Sequence, residues 1–254
     1  MQQGLRKLGI KTTDDLAAQD PEQLKTQVRD LKSKGYFWKS LPDNLIEKSI
    51  ERAKIYKSGK EVIHSKIDFP DHQFEIHYDL EDDPTQDFVY LHGIVLAEKG
   101  KDPEYQAFFA ESKDDERTIT EQLFDFLKKY AGAPVYHYSP YEKTTLKRLI
   151  GKYSSLDASI FEMLFGENCT GIDLLKIVND KTDWPLSSYS IKDICRYLGF
   201  QWDAEDASGA ASIVWMNDYL NGKKELKPKM LRYNQDDCMA TYFLKQSLEK
   251  MQKK

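Results

Sequence analysis

Apolar and polar positions alternate from residue 74 to residue 79, with Phe74, Ile76 and Tyr78 interleaved with Glu75, His77 and Asp79. A period of two predicts a half-buried strand. FVYLHGIVLA (88–97) is strongly β-prone and YQAFFA (105–110) is a third such run, so three consecutive strands in a meander are predicted. The spacing then becomes helical. Ile119, Leu123, Phe124, Phe126 and Leu127 line one side of a helix over 114–130. PVYHY (134–138) reads as a short buried strand and SPYEKTTLKRLIGKY (139–153) as an amphipathic helix. GIDLLKIV (171–178) is mostly apolar. A capped helix over 188–200 ends at Gly199, and a last helix runs over 229–251. Three strands followed by alternating helices and strands predict an α/β domain over 72–254, a mixed sheet flanked by helices.

Residues 1–66 predict a small helical domain, and residues 60–72 a linker. Thr12 or Thr13 is suited to cap one helix, and Asp20-Pro21 to start another. Ile46, Ile50 and Ala53 form an apolar stripe at helical spacing. The segment LRKLGIKTTDDLAAQDPEQL resembles a helix-hairpin-helix unit of DNA-repair and recombination proteins. That resemblance implies phosphate contacts from the turn at Gly9 and Lys11. An ordinary helical pair with Gly9 as a C-cap fits the same residues.

Composition narrows the classes. Of the 254 residues, 40% are hydrophobic and 31% charged, as in an ordinary globular chain. No apolar run approaches the roughly 20 residues of a membrane span, and the N-terminus carries no apolar signal stretch, so a cytoplasmic protein without a membrane partner is expected. Cys169, Cys195 and Cys238 are far apart and form no CxxC pair, which disfavours zinc ribbons and a disulfide framework. The net charge of -5 does not suit a protein that coats duplex DNA, although an enzyme that gathers carboxylates around cations can be acidic overall.

Three acidic clusters carry candidate chemistry. In HYDLEDD (77–83), Asp79 and Glu81 are two apart and share a strand face, whereas Asp82 and Asp83 are expected in a turn before Pro84. In LRYNQDDCMATYFL (231–244), Tyr233 and Asp237 stand one helical turn apart, with Asp236 turned away by about 100°. In VYHYSPYEKTTLKRL (135–149) a strand runs straight into a helix start at Ser139. Glu142 there has two readings: a capping box with Ser139, or a carboxylate beside the strand ends.

In order, these segments resemble the DnaQ-like (DEDD) exonucleases with tyrosine in the last motif. DLE at 79–81 is similar to their first motif and YNQDD at 233–237 to their last. Glu142 stands where that family has aspartate. HYSPYEKTTLKRL, IDLLKIV, SYSIKDI and YNQDDCMAT together resemble the RNase H-like domain attached to RecB-type nucleases, whose second motif carries glutamate. The resemblance implies an RNase H-like fold and a 3′–5′ exonuclease acting on single-stranded DNA or RNA 3′ ends. Two Mg²⁺ or Mn²⁺ ions would be held by Asp79, Glu81, Glu142 and Asp237, with Tyr233 orienting the attacking water. It also implies a RecB-type nuclease or helicase module as a partner. Tyr141, Lys143, Lys147 and Arg148 are candidates for holding the strand, and Tyr138, Tyr189 and Trp215 for stacking on its bases. A scaffold that kept the fold without catalysis, and an RNA-directed enzyme, are the alternative readings.

Overall fold

The computed structural model describes residues 2–35, 42–203 and 208–252, which form two compact units. The first comprises residues 1–66 and 178–189 and the second residues 67–177 and 190–254. In the first, α1 (Gln2–Lys7), α2 (Thr13–Ala17), α3 (Pro21–Ser33) and α4 (Asp43–Ser58) enclose a small core of Ile10, Leu24, Val28, Ile46 and Ile50. Thr12 caps α2 in a reciprocal box with Asp15, and Asp20 caps α3 ahead of Pro21.

The stretch that reads as a linker is partly structured. β1 (Val62–Ile63) pairs antiparallel with β7 (Thr182–Asp183), a strand far along the chain. Arg52 Nε and His64 Nε2 approach the buried Asp183 carboxylate at 2.6 and 2.7 Å, and the Tyr189 hydroxyl donates to it at 3.0 Å. Trp184 is buried beside them.

The second unit is built on five strands in the order β4-β3-β2-β5-β6. β2 (Phe74–Asp83), β3 (Phe88–Glu98) and β4 (Glu104–Phe109) form the antiparallel meander. β5 (Val135–His137) and β6 (Gly171–Asp173) add parallel to β2. Between them come α5 (Glu116–Lys129), α6 (Tyr141–Lys152) and α7 (Ala158–Phe165), and then α8 (Leu174–Lys181), α9 (Ile191–Tyr197), α10 (Gly209–Leu220) and α11 (Lys227–Met251). This is a mixed sheet flanked by helices.

Strand alternation sorts β2 into two faces. Ile76, Tyr78 and Leu80 join the main core with Leu123 and Phe124 of α5. His92 belongs to that side, between the Tyr78 hydroxyl (2.9 Å) and Thr120 Oγ1 (3.2 Å), and burial lowers its pKa to about 3, so it is a neutral core group. Glu75, His77 and Asp79 face α11, where they meet Lys245, Tyr242 and Asn234 respectively. α11 therefore runs antiparallel to β2.

The strand also runs further than its sequence suggests. Asp82 and Asp83 are the last residues of β2, paired with Val89 and Phe88 after a register shift between Glu81 and Asp82. The turn expected at these two aspartates begins instead at Pro84.

Candidate metal centre

The end of β2 and the middle of α11 bring three of the expected carboxylates together. One oxygen each from Asp79, Glu81 and Asp237 lies within 4.8 Å of the others. They open into a cavity of about 310 Å³ whose walls include Tyr141, Ile213 and Tyr233. Glu81 is buried, and Asp79 and Asp237 are half-buried.

Burial pushes the Asp79 carboxyl far above the usual carboxylate range, and the charges of Glu81, Asp237 and Glu142 push it further. Glu81 is raised to about 8 by burial and by Asp237, against hydrogen bonds from Ser212 and Asn234 and the charge of Lys192. Asp237 is raised by burial, and Lys192 together with bonds from Trp202 and Tyr233 opposes the shift. Like charges this close ionise together only when a cation or fixed donors compensate them. The donors are all carboxylate oxygens, which suits a hard divalent cation such as Mg²⁺ or Mn²⁺.

Glu142 stands outside the group of three. It is buried at the start of α6, with Oε2 3.4 Å from both Ser139 Oγ and His137 Nδ1. The capping box does not form. The Ser139 N–H, which such a box would give to Glu142, donates to Asp173 Oδ1 at 3.1 Å, and Ser139 Oγ accepts from the Tyr141 N–H. Asp173 also accepts from the Leu175 N–H at the start of α8, so it both caps that helix and braces the turn. The brace holds Ser139 at φ +122°, where a residue with a side chain is strained. Asp236 faces away from the three carboxylates, accepting from the Asp203 N–H at 3.0 Å.

Several partners in the site were not read from the sequence. Asn234 Nδ2 donates to Asp79 Oδ2 at 2.8 Å, while its own oxygen accepts from the Tyr105 hydroxyl at 2.9 Å. Asn234 fits because residue 93, opposite Asp79 on β3, is glycine; a Cβ there would lie 1.6 Å from Asn234 Oδ1. Ser212 on α10 donates to Glu81 and accepts from the Tyr90 hydroxyl at 2.8 Å. Trp202 Nε1 donates to Asp237 Oδ1 at 2.7 Å. Asn234 lies three residues before Asp237 on one helix, a spacing that marks a shared face. Ser212 and Trp202 carry no such local signal.

The expected strand-holding residues divide. Tyr141 lines the cavity, and its hydroxyl donates to Asp82 Oδ1 at 2.7 Å. Arg148 is paired with Asp82 and Asp87. Lys143 lies over the Phe165 ring, and Lys147 is exposed on the same helix. Trp215 meets the Tyr233 ring edge to face at 6.2 Å. Tyr189 belongs to the first unit, with its hydroxyl on Asp183. At the N-terminal turn, Gly9 adopts φ +80°, and the Gly9 and Ile10 N–H groups bond to Arg6 and Leu5 oxygens. The Lys11 and Thr12 N–H groups both donate to Asp15 Oδ2 at 2.9 Å. In this structure the Lys11 N–H is thus held by a carboxylate of the chain and the Gly9 N–H by a backbone oxygen.

No helix among the described residues is long and apolar enough to cross a membrane. A comparison with curated proteins gives no match. Among solved structures, the chain is similar in fold to the family B DNA polymerase of the hyperthermophilic archaeon Pyrobaculum calidifontis. The TM-score is 0.55 at 19% identity, over 72% of this chain and 25% of the polymerase. The chain thus spans about a quarter of that polymerase's length. The model of the RNase H superfamily matches residues 76–249, from the strand that carries Asp79 and Glu81 to the helix that carries Asp237, and the chain belongs to that superfamily.

Proposed function

We propose that this protein is a metal-dependent nuclease that removes nucleotides from the 3′ ends of single-stranded nucleic acid. The observation that carries the reading is the convergence of Asp79, Glu81 and Asp237 at a cavity that Tyr233 also lines. Membership of the RNase H superfamily supports hydrolysis of nucleic acid. The 3′–5′ polarity rests on the likeness of DLE at 79–81 and YNQDD at 233–237 to the tyrosine subgroup of DnaQ-like exonucleases.

Asp79, Glu81 and Asp237 would hold a divalent cation, and Glu142 is the proposed fourth ligand for a second one. Bound divalent cations supply charge neutralisation at the scissile phosphate and activation of water. Asn234 fixes the Asp79 carboxylate and Trp202 that of Asp237, which limits the reorganisation needed on binding. Tyr233 bonds to Asp237, and burial raises its pKa far above the ordinary tyrosine value. Its hydroxyl therefore stays protonated at neutral pH and serves as an orienting group rather than a base. Tyr141 and Ile213 offer a ring and an aliphatic surface for the terminal base.

The test uses 5′-labelled single-stranded DNA and RNA with Mn²⁺ or Mg²⁺. A ladder that shortens from the 3′ end, lost in Asp79→Ala, is the expected result. Internal cuts without a ladder would refute the exonuclease reading. No digestion of either polymer across metals and pH would favour the non-catalytic scaffold.

A further inference from the structure

Positive charge concentrates where α10 gives way to α11. The stretch 222–232 carries Lys223, Lys224, Lys227, Lys229 and Arg232 against the acid Glu225, in a chain whose net charge is -5. Three of these cations are held by acids: Lys223 pairs with Asp218 at 2.9 Å, Lys227 with Glu111, and Arg232 with Asp203. Lys224 and Lys229 are exposed and form no ion pair with any of the described residues. Each lies instead over an aromatic ring of α10. Lys224 Nζ is 3.7 Å from the centre of the Tyr219 ring, and Lys229 Nζ is 4.1 Å from that of Trp215. We propose that Lys224 and Lys229 hold the phosphodiester backbone of a single strand on the 5′ side of the nucleotide being removed, so that α10 is the path by which the strand leaves the cavity. The inference rests on the nuclease reading above and extends it from the cavity to the surface beside it.

The path is continuous with the site. Gly209 and Ile213 on α10 line the cavity, and Trp215, two residues further along, meets the ring of Tyr233. Trp215 and Tyr219 are four residues apart, so they share one side of the helix at a separation of about 6 Å along its axis. The two rings are fixed platforms. Tyr219 is buried with its hydroxyl bound to Glu111, and Trp215 is half-buried against Tyr233. Attraction to a ring face restrains a lysine ammonium group without neutralising it, as a carboxylate would. Lys224 and Lys229 therefore present two charges that are placed in advance and still open to an anion. A phosphate that meets them costs less side-chain entropy than one that must order a free lysine. The neighbouring acids Asp218 and Glu111 are already engaged by Lys223 and Lys227, so they do not cancel the strip. Contacts of this kind fix the course of a strand and read no base.

Binding of a 5′-fluorescein-labelled oligothymidylate of 20 nucleotides, followed by anisotropy in EDTA, separates the contacts from turnover. Lys224→Gln combined with Lys229→Gln should weaken binding by about tenfold. It should also flatten the plot of log Kd against log salt by about 1.4, from two phosphate contacts at about 0.7 each. Lys99→Gln with Lys101→Gln, the same charge change at the end of β3, should flatten it far less. An oligothymidylate with neutral methylphosphonate links next to its 3′-terminal nucleotide should bind the unaltered protein about tenfold more weakly, and the Lys224/Lys229 variant hardly more weakly than the natural strand does. With Mn²⁺ present, that variant should lose about tenfold in kcat/KM on the 20-mer and about twofold or less on a dinucleotide, which does not reach the lysines. Equal flattening by the two lysine pairs, equal methylphosphonate losses in both proteins, or equal losses on long and short substrates would overturn the proposal. Displacement of the strand by polyglutamate as readily as by unlabelled oligothymidylate would assign the surface to an acidic protein and overturn it too. If the unaltered protein digests no nucleic acid, the nuclease reading falls, and the metal-free binding series still decides the phosphate contacts.

Discussion

The three converging carboxylates should make the metal-free protein least stable where they ionise, and Glu81→Gln isolates this effect. Glu81 is buried with its pKa raised to about 8, against about 4.5 in an unfolded chain. The sign follows from linkage: above pH 4.5 the unfolded state releases the proton first, so stability falls as pH rises toward the folded value. At about 1.4 kcal/mol per pKa unit, the penalty from this one group is about 3 kcal/mol at pH 7 and about 5 kcal/mol above pH 8. Asp79 and Asp237 share the site and move in the same direction. Glutamine keeps the size of the side chain and a polar partner for Ser212 while removing the charge. Glu81→Gln should therefore melt higher than the unaltered protein at pH 8 in EDTA, by about 4 kcal/mol or roughly 8–16 °C. The two should converge near pH 5. Mn²⁺ should raise the melting point of the unaltered protein at pH 8 and do so much less for the variant. Circular-dichroism melts at pH 5, 6, 7 and 8 test this. Parallel melting curves across that range would refute the reasoning, because they would mean that the site charges do not oppose the fold.

Other perturbations probe different parts of the molecule. On the proposed nuclease reading, Asp237→Ala should lower kcat by about a thousandfold or more, measured as release of labelled nucleotide, because it removes one carboxylate of the proposed metal site. Gly93→Ala would place a methyl group on Asn234 Oδ1 and should cost about 2–4 kcal/mol in urea unfolding, with weaker Mn²⁺ binding as Asp79 loses its anchor. Asp183 is buried, and although burial alone would raise its carboxyl, Arg52 and His64 hold it below the ordinary value. Its stabilisation is thus present above the unfolded carboxylate pKa near 4 and lost as pH falls through the lower folded value. Asp183→Asn should flatten the acid limb of stability below pH 4, and an unchanged acid limb would remove this ion pair from the account.

Local pattern carried much of the fold and part of the site. The alternation in 74–79 placed the first core strand, and the apolar spacing near 119–127 placed a core helix, because each reflects one buried face. The same pattern set Asp79 and Glu81 on one face and Asp237 one turn from Tyr233. What failed depended on partners distant in sequence. Asp82 and Asp83 read as a turn because of Pro84, yet pairing with β3 carries the strand through them. Ser139 and Glu142 match a capping box, yet Asp173 takes the N–H that the box needs. β1 was hidden because its partner lies more than a hundred residues away. Trp202 gave no local signal, since its indole acts on a carboxylate of another helix.

The late return of residues 178–189 to the first unit bears on how the chain is made and how it can be cut. During synthesis the N-terminal helices emerge long before β7 does, so β1 waits for its partner while the strands of the other unit are being produced. A protease nick or an engineered stop after residue 66 would not release a whole module: Arg52 and His64 would lose Asp183. The complementary fragment would carry Trp184 without the surroundings that bury it. Dissection of this protein therefore calls for a circularly rearranged or two-piece design that keeps residues 178–189 with the helices they serve.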